Sequence, residues 1–258
     1  GGILPLVELI KTRADSYENP TKALWHLATT EDNQTAIAKA GGTAPLVALL
    51  RSPNETTAQY AAAALRSLAR DHPDNQIALA KAGAIAPLVD LLGVDLLETQ
   101  QHAVGALLHL ASQDISSRNA VVIKLVAVLD LRNAAAQMKA AEALAVLAAR
   151  SEENRKAITA ASAIEPLVRL LGDGRRVREE TPQERAAAVL ANLARSGDNK
   201  KAIVDKGAVG PLVAMLSSVS PEPQTHAAAA LWHLVALGSN RPSITAAGAI
   251  EPLVRLLG

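Results

Sequence analysis

No cysteine occurs among the 258 residues, so disulfides and thiolate metal sites are excluded outright, and a cytoplasmic or nuclear setting is expected rather than a secreted one. Phenylalanine is absent as well, and there are only two Trp and two Tyr, although 49% of the residues are hydrophobic. Ala, Leu, Ile and Val supply nearly all of that apolar content. Large aromatic side chains fill wide cores, so their scarcity implies a thin, elongated core of helices brought close by Ala. An excess of one charge is also missing: Lys+Arg 26 against Asp+Glu 25 leaves a net +1. No strong field therefore steers nucleic acid or an anionic membrane to the chain. Too few aromatics are present to stack bases, and no nucleic-acid partner is expected. No membrane span is expected either, because the longest charge-free stretch, 224–240, carries two His and a Gly and has the character of a buried helix.

Chemistry is equally scarce. The chain lacks G-x-S-x-G, G-x-G-x-x-G, a phosphate-binding G-x-x-x-x-G-K-[ST] loop and H-E-x-x-H. The pairs His102/His109 and His226/His233 lie seven residues apart on one helical face, roughly 10 Å along the axis, too far to share a metal. Neither an enzyme, a metal site nor a cofactor is expected.

What the chain does contain is repetition. Pro-Leu-Val recurs at Pro5, Pro45, Pro87, Pro166, Pro211 and Pro252, and the degenerate Lys124-Leu125-Val126 fills the one gap. An Asn stands ahead of five of these anchors at constant spacing: Asn33, Asn75, Asn154, Asn199 and Asn240. All but the last anchor are followed by an Ala-rich helix with a common ending: LWHLA to Ala28, LRSLA to Ala69, LLHLA to Ala111, LAVLA to Ala148, LANLA to Ala194 and LWHLV to Val235. A period near 40 residues with three helical segments per unit means a solenoid, whose units bury their apolar faces only by stacking. The punctuation suggests the local physics. Asn is expected to cap the first helix. Gly41, Gly83, Gly207 and Gly248 are expected to supply the left-handed turn that ends it. Pro opens the second helix, where a missing N–H costs nothing. In the third helix, Ala61, Ala64, Leu65 and Leu68 fall at i, i+3, i+4 and i+7 and predict one buried stripe.

The pattern N-x-x-A-I-x-x-x-G-A-I-x-P-L-V-x-L-L followed by A-A-x-A-L-x-x-L-A resembles the armadillo repeat of β-catenin and importin-α, and does so over essentially the whole chain. The three-helix punctuation favours it over HEAT repeats. The resemblance implies an all-α, right-handed superhelical solenoid with three helices per repeat. It implies a single domain over 1–258: a half repeat at 1–30, repeats at 31–72, 73–113, 114–150, 151–196 and 197–237, and a half repeat at 238–258. The chain starts in mid-repeat and is expected to be excised from a longer protein. Because both ends look like internal pieces, weak end-to-end self-association is expected. Two irregularities stand out. The fourth repeat is short and lacks the Gly, which predicts a reduced first helix over 115–122. The loop 172–183 is long, and its Arg175, Arg176 and Arg178 are offset by Glu179 and Glu180, which suggests a solvated, self-neutralising loop.

In the family the third helices line a concave groove, and an Asn in A-L-x-N-L-A grips the backbone of an extended peptide. The six equivalent positions here are His26, Ser67, His109, Val146, Asn192 and His233, so only Asn192 matches. The Trp array of importin-α, one turn earlier, is replaced by Lys22, Ala63, Gly105, Glu142, Ala188 and Ala229, which removes the best support for a nuclear-import adaptor. Trp25 and Trp232 precede ladder His residues instead, where they either stack on a ligand or pack between helices. Arg66, Arg70, Arg150 and Arg195 lie near the same face with Lys22, against Asp71 and Glu142. That mildly basic tilt favours an acidic or phosphorylated segment; alternatively, the long Arg stems only solubilise an Ala-rich stack. The expected function is a scaffold for a protein or peptide partner. A regulatory or substrate-recognition module of a larger enzyme, such as a ubiquitin ligase, is the alternative.

Overall fold

The computed structural model describes residues 1–12, 17–172, 174, 177 and 180–256. Among them are eighteen α-helices, two short 3-10 turns and no strand. Contacts divide the chain into two compact units, Gly1–Lys124 and Leu125–Gly258.

In the first unit the chain runs α1 (Ile3–Lys11), α2 (Glu18–Leu27), α3 (Glu31–Lys39), α4 (Thr43–Leu49), α5 (Glu55–Ala69), α6 (Pro73–Lys81), α7 (Ile85–Asp90) and α8 (Leu97–Leu110). The long helices α2, α5 and α8 pack side by side in that order, while α1, α4 and α7 lie against them in turn. The predicted stripe is the core of this stack: Ala61, Ala64, Leu65 and Leu68 are all at most 1% exposed, and Leu24 and Leu107 are fully buried beside them. Ala62 and Ala63, also buried, let the helix backbones approach closely.

Next comes α9 (Ile115–Val128), a single unbroken helix. A reduced first helix over 115–122 is therefore not formed. With no Gly, no residue in this stretch takes positive φ, and the first and second helices of the repeat run on as one. Asp114 caps it, accepting from the Ser117 N–H at 2.9 Å.

The second unit continues with α10 (Ala134–Arg150), α11 (Glu152–Ala160), α12 (Ile164–Leu171), α13 (Pro182–Leu193), α14 (Gly197–Asp205), α15 (Val209–Met215), α16 (Pro221–Val235), α17 (Arg241–Ala246) and α18 (Ile250–Arg255). Here α10, α13 and α16 form the packed row of long helices, supported by α12 on α13 and α15 on α16. In the loop 172–183, Arg175, Arg176, Arg178 and Glu179 lie outside the described residues; its end is ordered as α13, with Pro182 in the first turn behind the Thr181 cap.

The punctuation residues act through different atoms than the spacing suggests. The repeated Asn makes no side-chain capping bond, even at Asn240, which occupies the N-cap position of α17. The caps of α3, α6, α11 and α14 are Thr30, His72, Ser151 and Ser196, and Asn33, Asn75, Asn154 and Asn199 each sit three residues further on. Their amide groups donate backwards, to the last carbonyls of the preceding long helix: Asn33 to Leu27 O at 2.9 Å, Asn75 to Leu68 O at 3.0 Å, Asn154 to Leu147 O at 2.9 Å and Asn199 to Leu193 O at 3.0 Å. Asn240, on the 3-10 turn before α17, does the same to Leu234 O at 3.1 Å. A helix leaves its final carbonyls without intrahelical partners, and at five of the six repeat junctions an Asn amide donates to one of them, tying the long helix to the start of the next repeat. The conserved spacing is thus that of a helix-to-helix staple.

Each Pro of the anchor is the third residue of its short helix, still among the positions whose N–H has no intrahelical acceptor. The left-handed turn before it is formed as expected, with Gly41, Gly83, Gly207 and Gly248 at φ between 77° and 86°. At Gly41 the full Schellman pair is present, Gly42 N–H to Ile37 O and Gly41 N–H to Ala38 O. Ser162 takes the same turn at φ 60° without being Gly.

Candidate functional site

The faces of α2, α5 and α8 in the first unit carry most of the predicted groove residues. Third helices that end alike place equivalent residues in register, and the spacing of seven residues before the ladder puts Tyr60 of α5 and His102 of α8 on one side of Trp25. Trp25 is half-buried there: its ring lies 5.8 Å from Tyr60 at an interplanar angle of 20°, 5.7 Å from His102 edge-on, and 4.5 Å from the adjacent His26. Lys22 Nζ stands 5.4 Å from the Tyr60 ring centroid, an exposed cation over an aromatic face. Trp25 therefore both packs between helices and forms a wall.

That wall bounds a cavity of about 290 Å³ lined by Trp25, Thr29, Ala63, Arg66, Ser67, Arg70 and His102. Arg66 and Arg70 are exposed, and among the described residues neither has a carboxylate within ion-pair distance. Arg70 Nη2 reaches only the Thr29 carbonyl, at 3.5 Å. Arg66 crosses to the next helix and lies against Gly105: a Cβ at that position would come within 2.5 Å of Arg66 Nε and 2.7 Å of its Cδ. Gly in a helix interior costs about 1 kcal/mol relative to Ala, so this glycine makes room at the expense of helix stability. Burial, reinforced by the Arg66 guanidinium and opposed by Glu98, holds the His102 imidazole below its ordinary range, so it is neutral at pH 7. Its Nδ1 is buried with no hydrogen-bond partner. Glu98 itself accepts from Gln59 Nε2 at 2.6 Å. His109 is half-buried and lies outside the cavity lining.

The second unit presents a different face on α10, α13 and α16. Trp232, which shares the local sequence of Trp25, is 69% exposed, and its one ring contact among the described residues is with the neighbouring His233, at 4.5 Å. Its neighbour His233 is half-buried, and burial, then Arg195 and Lys200, lower its pKa. Arg150 and Arg195 are exposed. Glu142 is engaged with Lys139 at 2.9 Å. Asn192, the one family-type ladder residue, points its Nδ2 at the chain's own carbonyls, Ala188 O at 3.1 Å and Ala145 O at 3.5 Å. On the same row Glu184 is 1% exposed, with His226 Nε2 3.1 Å from one oxygen and Arg185 Nε 3.4 Å from the other. Single-helix reading notes His102 only as sharing a face with His109 and Gly105 only as a replacement in the Trp row. It does not single out Tyr60 or Glu184, because their roles come from the adjacent helix; the shared register of Tyr60 and His102 is the available signal.

A family model described as Armadillo/beta-catenin-like repeat matches residues 30–70, 72–112 and 198–236. The chain is an armadillo-repeat protein. No curated protein matches the sequence. Among solved structures, an engineered protein is similar with a TM-score of 0.67 and 32% identity, over 92% of this chain and 97% of that one. A computationally designed armadillo repeat protein for modular peptide recognition gives a TM-score of 0.66 and 27% identity, over 90% and 99%. A designed armadillo repeat protein in complex with the peptide (KR)4 gives 0.69 and 26%, over 91% and 100%. Among the described residues of this armadillo chain, no cluster of three or more His, Asp or Glu has metal-binding geometry, and no single helix is long and apolar enough to cross a membrane.

Proposed function

We propose that the chain is a non-catalytic protein-interaction scaffold that holds an extended, acidic or phosphorylated partner segment along its third-helix faces. The observation that carries this reading is the pair Arg66 and Arg70, exposed and without carboxylate partners, beside the Trp25 wall. Packed helices lie roughly 8–10 Å apart and an extended chain advances roughly 3.3 Å per residue, so each rung meets the segment every few residues. A similar designed armadillo repeat protein is in complex with the peptide (KR)4, which supports a peptide as the ligand class; the cations on the face described above favour a ligand of the opposite sign.

Fluorescence anisotropy with a labelled Glu-rich peptide and with (KR)4 tests the sign. The acidic peptide is expected to bind more tightly, with an affinity that falls as salt rises. Replacing Arg66, Asn192 and His233 together is expected to weaken it at least tenfold, on the order of one lost charge-assisted hydrogen bond. Unaltered affinity in the triple variant, or preference for (KR)4, overturns the proposal.

A further inference from the structure

We propose that the cavity among α2, α5 and α8 receives a phosphotyrosine side chain of such a segment, and that Gly105 determines this specificity by letting Arg66 lie in the groove. The inference rests on the groove reading above and names the ligand group for one of its positions.

Three features converge. The first is charge: Arg66 and Arg70 both line the cavity and neither is committed to a carboxylate among the described residues. Guanidinium forks bind phosphate oxygens in pairs, and a phosphate ester carries about −1.5 to −2 at pH 7. The second is the flat apolar wall of Trp25, held by Tyr60 at 5.8 Å and His102 at 5.7 Å, above the buried Ala63. A phosphoserine or glutamate that reaches the guanidinium groups leaves this wall uncovered. An aromatic phosphate covers it and places its anionic head between the two arginines. The third is size: about 290 Å³ lies at the low end of the roughly 300–1,000 Å³ of small-ligand sites, the scale of one side chain rather than a cofactor.

Gly105 ties these together. At the same register the preceding long helices carry Lys22 and Ala63. A Cβ at residue 105 would overlap Arg66 Nε and Cδ, at 2.5 and 2.7 Å, so the Arg66 side chain would have to move and its guanidinium would leave its present position at the cavity. Glu98, whose charge acts on His102, accepts from Gln59 on the neighbouring helix.

The test uses NMR on the whole chain with phenyl phosphate, inorganic phosphate and phenol as probes. With two Trp in the sequence, the indole N–H signals report each wall separately. Phenyl phosphate is expected to move the Trp25 indole and to bind about tenfold or more tighter than either fragment, since ring contact and charge-assisted hydrogen bonds add. Gly105→Ala, which improves helix propensity, is expected to keep or raise the unfolding midpoint while weakening phenyl phosphate about tenfold. Loss of binding through misfolding is thereby distinguished. Equal affinity for phosphate and phenyl phosphate, or unchanged affinity in Gly105→Ala, overturns the inference.

A matched pair of extended peptides, one with Tyr and one with phosphotyrosine at its centre, separates this inference from its parent. If both bind α2, α5 and α8 equally, the phosphotyrosine pocket fails and the groove stands. If phenyl phosphate binds as described while neither peptide perturbs those helices, the groove reading fails and with it the phosphotyrosine residue as occupant, leaving only a site for a free aryl phosphate.

Discussion

Substituting Asn75 separates two roles that the same spacing allows. A capping Asn works as an acceptor, and Asp or Ser would replace it with little loss. The observed Asn75 works as a donor, with Nδ2 3.0 Å from Leu68 O and the residue 4% exposed. Asn75→Ala removes a hydrogen bond with a net value of about 0.5–1.5 kcal/mol and strands a buried carbonyl, which costs about 1–3 kcal/mol. The expected loss is about 1–3 kcal/mol in urea unfolding followed by far-UV circular dichroism. Asn75→Asp is the sharper variant. Its carboxylate has no proton to donate and faces the Leu68 oxygen in a buried site. Favourable placement in the first turn of α6 returns only about 0.3–1 kcal/mol, so Asp is expected to be worse than Ala, at about 3 kcal/mol or more. The pH dependence follows from this geometry. The fold favours the protonated acid, which can donate, so the folded pKa lies above the unfolded value of about 3.9. The native state then binds more protons, stability falls as pH rises through that window, and the deficit narrows again as pH is lowered towards 4. Asn75→Asp that matches wild type at pH 7, or is more stable than Asn75→Ala there, would refute the donor role.

Ser162 holds a left-handed turn that its counterparts fill with Gly; Ser162→Gly is expected to raise stability by about 0.5–1 kcal/mol, whereas Gly83→Ala lowers it by about 1–2 kcal/mol, both read as shifts in urea midpoint. His102 and His233 have folded pKa values below their ordinary value of about 6.5. The unfolded state therefore binds more protons between the two values, so stability declines as pH falls below about 6.5 and levels off below the folded pKa values. His102→Gln is expected to flatten part of that decline, and an identical pH profile in wild type and variant would count against it. The two tryptophans should separate by assay: Trp25→Ala costs about 3–5 kcal/mol in unfolding, at the lower end for a half-buried ring, while Trp232→Ala changes stability by less than about 0.5 kcal/mol.

Much of the candidate site is legible in the chain. The LRSLA ending places Arg66, Ser67 and Arg70 on the face that Lys22 and Trp25 share, because helices with one register present one face. The identity of the cavity is not. Trp25 and Trp232 sit in identical L-W-H-L contexts, yet one is enclosed and the other is 69% exposed. Tyr60 and His102, contributed by two further helices, account for the difference, and no local pattern carries it.

The sequence by itself determined the periodic scaffold: three helices per repeat, left-handed turns at glycine, a stripe of Ala and Leu that only a neighbouring repeat can bury. These follow from backbone conformational preference and helical period, which act over a few residues. It did not determine the fusion of two helices into α9: the missing Gly predicts a reduced first helix over 115–122, and the structure has one helix over Ile115–Val128. Tertiary structure decided where the polar atoms point. The amides of Asn33, Asn75, Asn154 and Asn199 turn back to the preceding helix, whose last carbonyls lie within their reach at the turn. Arg66 lies in the groove because Gly105, on the adjacent helix, leaves the space. The Asn amides reach only six or seven residues back, but across a turn between two helices whose angle packing sets, and the Arg66 clearance depends on a residue of the next long helix, so neither is written in a local pattern.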